Sequence, residues 1–304
     1  MSLFAKLVLA ATHNPVVRNA FVATPPGKAL ARRFVAGETL EEAITVARGL
    51  LDSGMAVSMD LLGEEVHDDA TAAAAQQGYL DCLDRISQEG LDANISIKLT
   101  QLGLAFDESL ASRHLDELAS RAADLGTTVT IDMEDSRFTD ATIRLYEKAQ
   151  TDHGNLGVCL QAYLHRTPAD LKRIASLGGH IRLCKGAYVE PEELAVQGKG
   201  EVTAAFARLL AAVMAVEGVR PAIATHDQVL IDQTRLLANN RKAPFEFQLL
   251  YGVRTPLQRE LIEAGFPVRI YVPYGSQWYA YLTRRLAERP ANALFFARAV
   301  FSRS

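Results

Sequence analysis

Polar side chains stand at the ends of several short apolar runs, and their types are those that bind charged small molecules. They are Lys98, Asp132, Gln161, Arg182 and His226. A charge removed from water is costly unless it is paired or bound to a ligand. Gathered at one edge of a sheet, these groups predict a site for a polar ligand. For any single residue the alternative is a self-satisfied salt bridge at the bottom of the fold.

The segment 182–188, with the sequence RLCKGAY, carries the densest chemistry. Two cations, Arg182 and Lys185, flank the end of a short apolar run. Gly186 and Ala187 follow without bulky side chains, so a flat or phosphorylated ligand can approach the backbone. The segment therefore predicts part of a cofactor site.

A second motif, 281–285 with the sequence YLTRR, lies close to the end of the chain in a helical pattern. Arg284 and Arg285 are adjacent, and two planar guanidinium groups can grip one carboxylate. This arrangement favours a carboxylate clamp at the inner edge of a helix. A solvated helix surface is the alternative for the two arginines alone.

Eight short β-like runs must position these residues, and a helical pattern follows each run. The runs cover residues 57–60, 94–98, 128–132, 157–161, 181–184, 222–226, 245–249 and 268–272. Eight such units predict an α/β fold, a (βα)8 TIM-type barrel, whose active site lies at the carboxyl ends of the strands. Residues 1–53 are predicted to form an N-terminal helical extension on the barrel of residues 54–304, within a single domain 1–304.

Side chains alternate between the two faces of a strand, and one parity of these runs is consistently apolar. That parity is predicted to face the helices, and the polar parity to face the barrel axis. The predicted inward residues are Ser58, Asp60, Ser96, Lys98, Thr130, Asp132, Gln161, Arg182, Ala224, His226, Glu246, Gln248, Arg269 and Tyr271. An ordinary barrel interior is filled with Val, Ile and Leu, so this one indicates a ligand.

Composition excludes several classes of protein. The chain has 304 residues and a net charge of −4 with scattered cations, which argues against a nucleic-acid partner. Three widely spaced cysteines, Cys82, Cys159 and Cys184, predict a reduced cytoplasmic protein and no metal site. No apolar run is long enough for a transmembrane segment. The apolar start of the chain is interpreted as a helix, with a signal peptide as the alternative.

Taken together, the motifs resemble the proline dehydrogenase family over essentially the whole chain. The matching segments cover residues 97–100, 131–134, 160–163, 182–188, 224–227, 245–252, 269–275 and 281–285. The resemblance implies FAD-dependent oxidation of L-proline to 1-pyrroline-5-carboxylate, the first step of proline catabolism, with electrons passed to a membrane quinone. The length resembles that of the short, monofunctional members, so an aldehyde dehydrogenase would be a separate downstream partner. Two departures are visible, Asp227 where many members have Asn, and Cys184 where Val is common.

The resemblance also implies roles for individual residues. Non-covalent FAD would contact Met133, Gln161, Arg182, Lys185, Gly186, Ala187, Thr225 and His226. Arg182 would lie against the flavin ring, and Asp132 would either orient Lys98 or Tyr271 or transfer a proton. The carboxylate of proline would be bound by Lys98, Arg284 and Arg285, and its ring would pack on Tyr271 and Tyr281.

Three questions stay open at this level. A class I aldolase with Lys185 or Lys98 as the Schiff-base lysine uses the same barrel, and a catalytically silent barrel could bind an anion or a protein. Residues 293–303 have an apolar stripe with basic residues, which fits peripheral contact with the inner face of the membrane. A last helix that covers the barrel is nevertheless the favoured interpretation of this segment.

Overall fold

The structure is a computed structural model that describes residues 25–63 and 66–287, without the side chains at positions 25, 26, 28 and 284–287. The strands are β1 (Ala56–Leu61), β2 (Ala93–Ile97), β3 (Val129–Ile131), β4 (Leu156–Gln161), β5 (His180–Cys184), β6 (Arg220–Ala224), β7 (Glu246–Leu250) and β8 (Val268–Tyr274). The helices are α1 (Pro25–Arg32), α2 (Leu40–Leu51), α3 (Asp69–Gln88), α4 (Glu108–Asp124), α5 (Ser136–His153), α6 (Thr167–Ile174), α7 (Lys199–Ala215), α8 (Gln228–Ala238), α9 (Thr255–Glu263) and α10 (Trp278–Ala287). Two 3₁₀ turns, Thr100–Leu102 and Ala175–Leu177, complete the described elements.

The eight strands form one closed parallel barrel in sequence order, and the last strand pairs with the first. A helix follows each strand, as the predicted (βα)8 barrel requires. The fold class is therefore confirmed. The predicted runs and the observed strands differ by two residues or fewer at their ends, so Lys98 and His226 lie just beyond the strands instead of within them.

The predicted parity of the strands is also observed. Val57, Met59, Ile95 and Ile97 are fully buried in the main apolar core between strands and helices. The opposite parity points to the barrel axis, where Arg182 reaches Ser96 on β2 and Gln248 on β7. Buried polar side chains replace the usual aliphatic filling of the barrel.

After β3 and after β6, a short loop leads directly into a helix whose first turn is capped by an aspartate. Asp135 accepts from the backbone N–H of Arg137 at the start of α5, and Asp227 accepts from that of Val229 at the start of α8. Such caps satisfy backbone donors that a helix leaves unpaired at its start. The strand-end residues just before them are therefore held on short, defined segments.

Two helices precede the barrel in the described part of the chain. Helix α2 begins with a reciprocal capping box between Thr39 and Glu42 and packs on β1 and β8. A smaller apolar cluster joins Phe34, Trp278 and Leu282, so the segment after α1 supports α10. The predicted helical extension thus has described helices at 25–32 and 40–51, while the division at residue 53 and the single domain stay predictions.

No helix in the two described ranges is long and apolar enough to cross a bilayer. The apolar start of the chain and the segment 293–303 lie outside the described residues.

Candidate active site

A cavity of about 440 Å³ lies at the carboxyl ends of the strands. Twelve predicted site residues line it: Lys98, Asp132, Met133, Gln161, Arg182, Lys185, Gly186, Ala187, Thr225, His226, Tyr271 and Tyr281. The structure thus brings together every predicted site residue whose side chain it describes. Arg284 and Arg285 belong to α10, but their side chains lie outside the described residues, so the clamp stays a prediction.

Arg182 lines the cavity and is 4% exposed. Its guanidinium donates to a carboxylate oxygen of Asp132, to Ser96 Oγ at 2.8 Å and to Gln248 Oε1 at 2.5 Å. Burial alone would lower the pKa of Arg182, but the Asp132 carboxylate raises it. Arg182 therefore places a permanent positive charge in the lining of the cavity.

Asp132 links three of the neighbouring side chains. Its Oδ1 accepts from Arg182 and from Ser96 Oγ, the latter at 2.8 Å, and its Oδ2 accepts from the hydroxyl of Tyr271 at 2.7 Å. The Tyr271 ring also lies 5.2 Å from the Arg182 guanidinium carbon, within cation–π range. Burial and the Asp132 carboxylate raise the pKa of Tyr271 well above its usual value. Tyr271 is therefore a neutral donor with its ring facing the cavity.

Lys98 lies between two carboxylates. Its Nζ is 2.7 Å from Asp60 Oδ1 and 3.7 Å from Asp132 Oδ2. Burial would lower the pKa of Lys98, yet the charges of Asp60 and Asp132 raise it. Lys98 is therefore a charged ammonium that neutralises the acidic side of the cavity.

Asp60 is fully buried, and its Oδ2 has no hydrogen-bond partner among the described residues. Burial raises its pKa, while Lys98 opposes the shift. Sequence reasoning placed Asp60 on the inward face but gave it no role. Its position at the carboxyl end of β1, level with Ser96 on β2, is the signal that identifies it.

Gln161 fixes the glycine-containing segment after β5. Its amide nitrogen donates to the Glu134 carbonyl at 2.8 Å, and its amide oxygen accepts from the N–H of Ala187 at 3.0 Å. Gly186 has φ 127°, and a Cβ at this position would collide with the ring of Tyr163. Glycine is therefore required here, because only a residue without a side chain lets the segment pack directly against Tyr163.

Lys185 is tied to the next βα segment. Its Nζ donates to Asp227 Oδ2 at 2.6 Å and to Thr203 Oγ1 at 2.8 Å, and the Lys185 charge lowers the pKa of Asp227. The departure at Asp227 thus places a full negative charge beside this lysine.

Thr225 and His226 directly follow β6. The N–H of Leu250 donates to His226 Nε2 at 3.1 Å, so the proton of the neutral ring is on Nδ1. Arg254 donates to the His226 carbonyl at 2.7 Å, which fixes the backbone of this segment.

The cavity is also lined by residues to which the sequence analysis assigned no role. They are Asp60, Cys159, Cys184, Tyr188, Ala224, Gln248, Leu249 and Leu250. Strand parity already placed Asp60, Ala224 and Gln248 on the inward face. Tyr188 lies beyond β5 and Leu250 is the last residue of β7, where the geometry of the following loop, which no local pattern indicates, decides which way a side chain points. Leu249 lies within β7 and is paired with Ile270.

A closed parallel barrel with a polar cavity at the carboxyl ends of its strands defines a barrel enzyme that acts on a small charged molecule. A sequence profile of the proline dehydrogenase family matches residues 43–298. The chain belongs to the proline dehydrogenase family, a family of oxidoreductases.

Two bacterial relatives match almost the whole chain. Proline dehydrogenase 1 of Bacillus subtilis subsp. natto is 38% identical over 276 residues, which cover 90% of this chain and 91% of that protein. Proline dehydrogenase of Deinococcus radiodurans is 35% identical over 301 residues, which cover 96% of each chain. The resemblance drawn from the motifs is therefore confirmed.

A solved structure shares the fold. Proline utilization A from Bdellovibrio bacteriovorus, inactivated by N-propargylglycine, superposes with a TM-score of 0.81 at 23% identity. The match covers 91% of this chain and 34% of that one, so the present chain spans about a third of the larger protein.

Proposed function

We propose that the chain oxidises L-proline to 1-pyrroline-5-carboxylate, the first step of proline catabolism. Family membership and the names of the two bacterial relatives support the substrate. The observation that carries the proposal is the single cavity lined by all twelve described side chains that the family resemblance indicated.

The donors around the cavity fit a non-covalently held FAD. Arg182 and Lys185 supply positive charge, Thr225 supplies a hydroxyl, and the Gly186-Ala187 backbone lies open to a flat ligand. Each end of the Gln161 amide keeps a second hydrogen-bonding position beyond its contacts with Glu134 and Ala187. Met133 and His226 complete the proposed contacts, and bound FAD would accept the hydride from ring carbon 5 of proline.

Arg182 is proposed to favour the reduced form of the cofactor by its fixed charge. Asp132 holds Arg182 and Tyr271 through separate oxygens. Since both oxygens already accept hydrogen bonds, the contacts support an orienting role for Asp132 over proton transfer. The proline nitrogen must then arrive as the neutral amine, whose lone pair forms the imine.

The carboxylate of proline needs a cationic partner that is not already neutralised. Lys98 is engaged with Asp60 and Asp132, so these carboxylates reduce the charge that it can offer to the substrate. The family resemblance adds Arg284 and Arg285 to the proposed clamp. Tyr271 and Tyr281 are proposed as the walls that pack on the proline ring.

Electrons are proposed to pass from the cofactor to a membrane quinone, through peripheral contact of a cytoplasmic protein with the bilayer. A separate aldehyde dehydrogenase is the proposed downstream partner, because the imine product hydrolyses to a semialdehyde. A single domain of residues 1–304 would carry the oxidation of proline and the transfer of electrons to the quinone.

The aldolase alternative requires a neutral lysine amine. The neighbouring carboxylates raise the pKa of Lys98, which holds it as an ammonium group, and Lys185 forms an ion pair with Asp227. These contacts favour the oxidoreductase over the aldolase.

A product assay tests the proposal. The purified protein, supplied with FAD and an artificial electron acceptor, is mixed with L-proline, and 1-pyrroline-5-carboxylate is trapped as its coloured adduct with o-aminobenzaldehyde. We expect adduct formation that depends on both L-proline and FAD, with D-proline as the matched control. No adduct from a folded protein that has bound FAD would contradict the proposed substrate.

A further inference from the structure

Two cysteines contact each other in the lining of the cavity. Cys159 on β4 and Cys184 at the end of β5 both line it, and their sulfur atoms are 3.5 Å apart. Both are free thiols, Cys159 buried and Cys184 partly exposed. The proposed reaction uses neither of them. This pair is a vicinal dithiol that faces the same open space as Arg182.

The strand register argues against a disulfide at this position. Cys159 is level with Arg182 and Cys184 is level with Gln161, so the two cysteines are diagonal neighbours two residues out of step. Parallel strands lie about 4.8 Å apart and rise about 3.3 Å per residue, so Cα atoms two residues out of step are roughly 8 Å apart. Disulfides span about 4.4–6.8 Å between Cα atoms. Bridging the pair directly would require the backbone to move.

The same sulfur separation suits a soft atom placed between the two thiols. Two sulfurs bonded to one atom at about 2.3 Å, as thiolates bind zinc, lie roughly 3.5–3.8 Å apart at near-tetrahedral angles. No group of three metal-binding side chains occurs in the ranges that the structure describes. A metal that demands four protein ligands is therefore a poor match, and a centre that needs only two sulfurs is a good one.

We propose that Cys159 and Cys184 form a chelating site for trivalent arsenicals that carry one organic group. In the binding step both S–H bonds and the As=O bond break, and two As–S bonds form. The oxygen leaves as water with the two thiol protons, and arsenic stays trivalent, so no oxidant or reductant is needed. The organic group would occupy the cavity, whose lining includes the apolar residues Ala224 and Leu249.

The surroundings favour the thiolate form of Cys159. A hydrogen bond from Cys184 lowers the pKa of Cys159, against the effect of burial, and the Arg182 guanidinium lowers it further. The thiolate is the reactive form of a cysteine. Cys82 offers an internal contrast, because it is fully buried in α3 and burial raises its pKa to about 12.

The experiment uses the full chain, reduced and then freed of reductant, with phenylarsine oxide as the probe. Intact-mass analysis is expected to show one probe molecule less one water per chain. The adduct is expected to persist in excess glutathione and to be released by 2,3-dimercaptopropanol, because chelation by two thiols resists exchange with a monothiol. Loss of the adduct to glutathione in the wild-type protein would overturn the proposal without any variant.

Variants assign the site. Cys159→Ser and Cys184→Ser are each expected to weaken retention at least roughly 100-fold, since one thiol loses the advantage of the second. Cys82→Ser is the matched control and is expected to retain the adduct as the wild type does, with circular dichroism to verify folding of all three. Retention unchanged in Cys159→Ser or Cys184→Ser, or lost in a folded Cys82→Ser, would also overturn it.

Discussion

The two ends of the barrel interior both contain buried charge, but they use it differently. At the amino ends of the strands, Glu246 accepts from Arg269 at 2.9 Å, from Arg220 at 3.0 Å and from Gln248 at 2.6 Å. We call this cluster the floor. At the carboxyl ends, the cavity of about 440 Å³ is bordered by a second charged cluster, which we call the mouth. It consists of Asp60, Lys98, Asp132 and Arg182.

The floor is the self-satisfied network that the sequence left open as an alternative. Burial would raise the pKa of Glu246. Its contacts with Arg269, Gln248 and Arg220 together lower that pKa. The mouth, in contrast, holds a buried carboxylate oxygen, Asp60 Oδ2, that has no hydrogen-bond partner among the described residues. The buried oxygens without a partner beside the floor, Asn94 Oδ1 and Asn155 Oδ1, belong to neutral amides. Buried charge in a barrel is thus no sign of function by itself, and its position along the strand and the space beside it decide.

The largest effect on stability is expected at the floor. Glu246→Ala would leave Arg269 buried without its carboxylate, which costs about 3–5 kcal/mol of unfolding free energy. Urea denaturation of the variant measures this loss, with the exposed Glu263→Ala as control. Equal midpoints for the two variants would show that the floor charges are not coupled as the distances indicate.

The next largest effect is expected at the mouth, in activity. Asp132→Asn keeps the shape of the side chain but removes the charge that holds Arg182 and Tyr271. The kcat/KM for L-proline should fall about 10²–10³-fold, in line with losses of positioned polar groups elsewhere. Asp152→Asn on the exposed side of α5 is the control. Wild-type kinetics in Asp132→Asn would remove this residue from the mechanism.

A smaller effect concerns the pH dependence of stability. Burial, with help from Arg182, Arg269 and Arg220 and against Glu246, lowers the pKa of His180 at the floor to about 3. The unfolded chain then binds a proton below about pH 6.5 that the folded chain does not, so stability is complete above that pH and decreases as the pH falls toward 3. Because solvent screens the partly exposed ring of His180, the expected loss of unfolding free energy over this pH range is about 2 kcal/mol.

His180→Gln should flatten this part of the stability profile, measured as unfolding free energy between pH 7 and pH 4. His165→Gln, which changes an exposed histidine near the mouth, should leave the profile as it is. The same slope in wild type and His180→Gln would assign the acid sensitivity to other groups.

The smallest effect is expected at the residue that joins the two ends. Gln248 accepts from Arg182 and donates to Glu246. Gln248→Leu removes both hydrogen bonds, and a loss of about 1.4 kcal/mol predicts a roughly tenfold decrease in kcat. Gln77→Leu on the exposed side of α3 is the control. A fall in stability with unchanged kcat would place Gln248 with the floor alone.

Much of this architecture could be predicted from the sequence. Alternation within each run indicated which face of the strand is buried, because a one-residue shift would put Val57 or Ile95 into the polar interior. The pairing of Asp60 with Lys98 could not be predicted in the same way. It depends on how far β1 and β2 are staggered, which neither strand encodes alone. Cys159 was missed because an inward cysteine looks like one more apolar residue.

The loops that close the site were less predictable still. Asp227 was noted only as a departure from the family, although its contact with Lys185 connects two βα segments. That contact requires the loop after β5 to run toward α8, and the side-chain pattern of the loop does not indicate its direction. Arg284 and Arg285 remain predicted from sequence and resemblance alone.

The most direct measurement is the anaerobic bleaching of bound flavin on mixing with L-proline, compared between the two ends of the barrel. We predict that wild type and the floor variant Arg220→Ala bleach at similar rates, while Arg182→Ala retains its flavin and bleaches at least roughly 100-fold more slowly. A folded wild-type protein that takes up no FAD, or an Arg182→Ala variant that bleaches as fast as wild type, would contradict the proposed flavin chemistry.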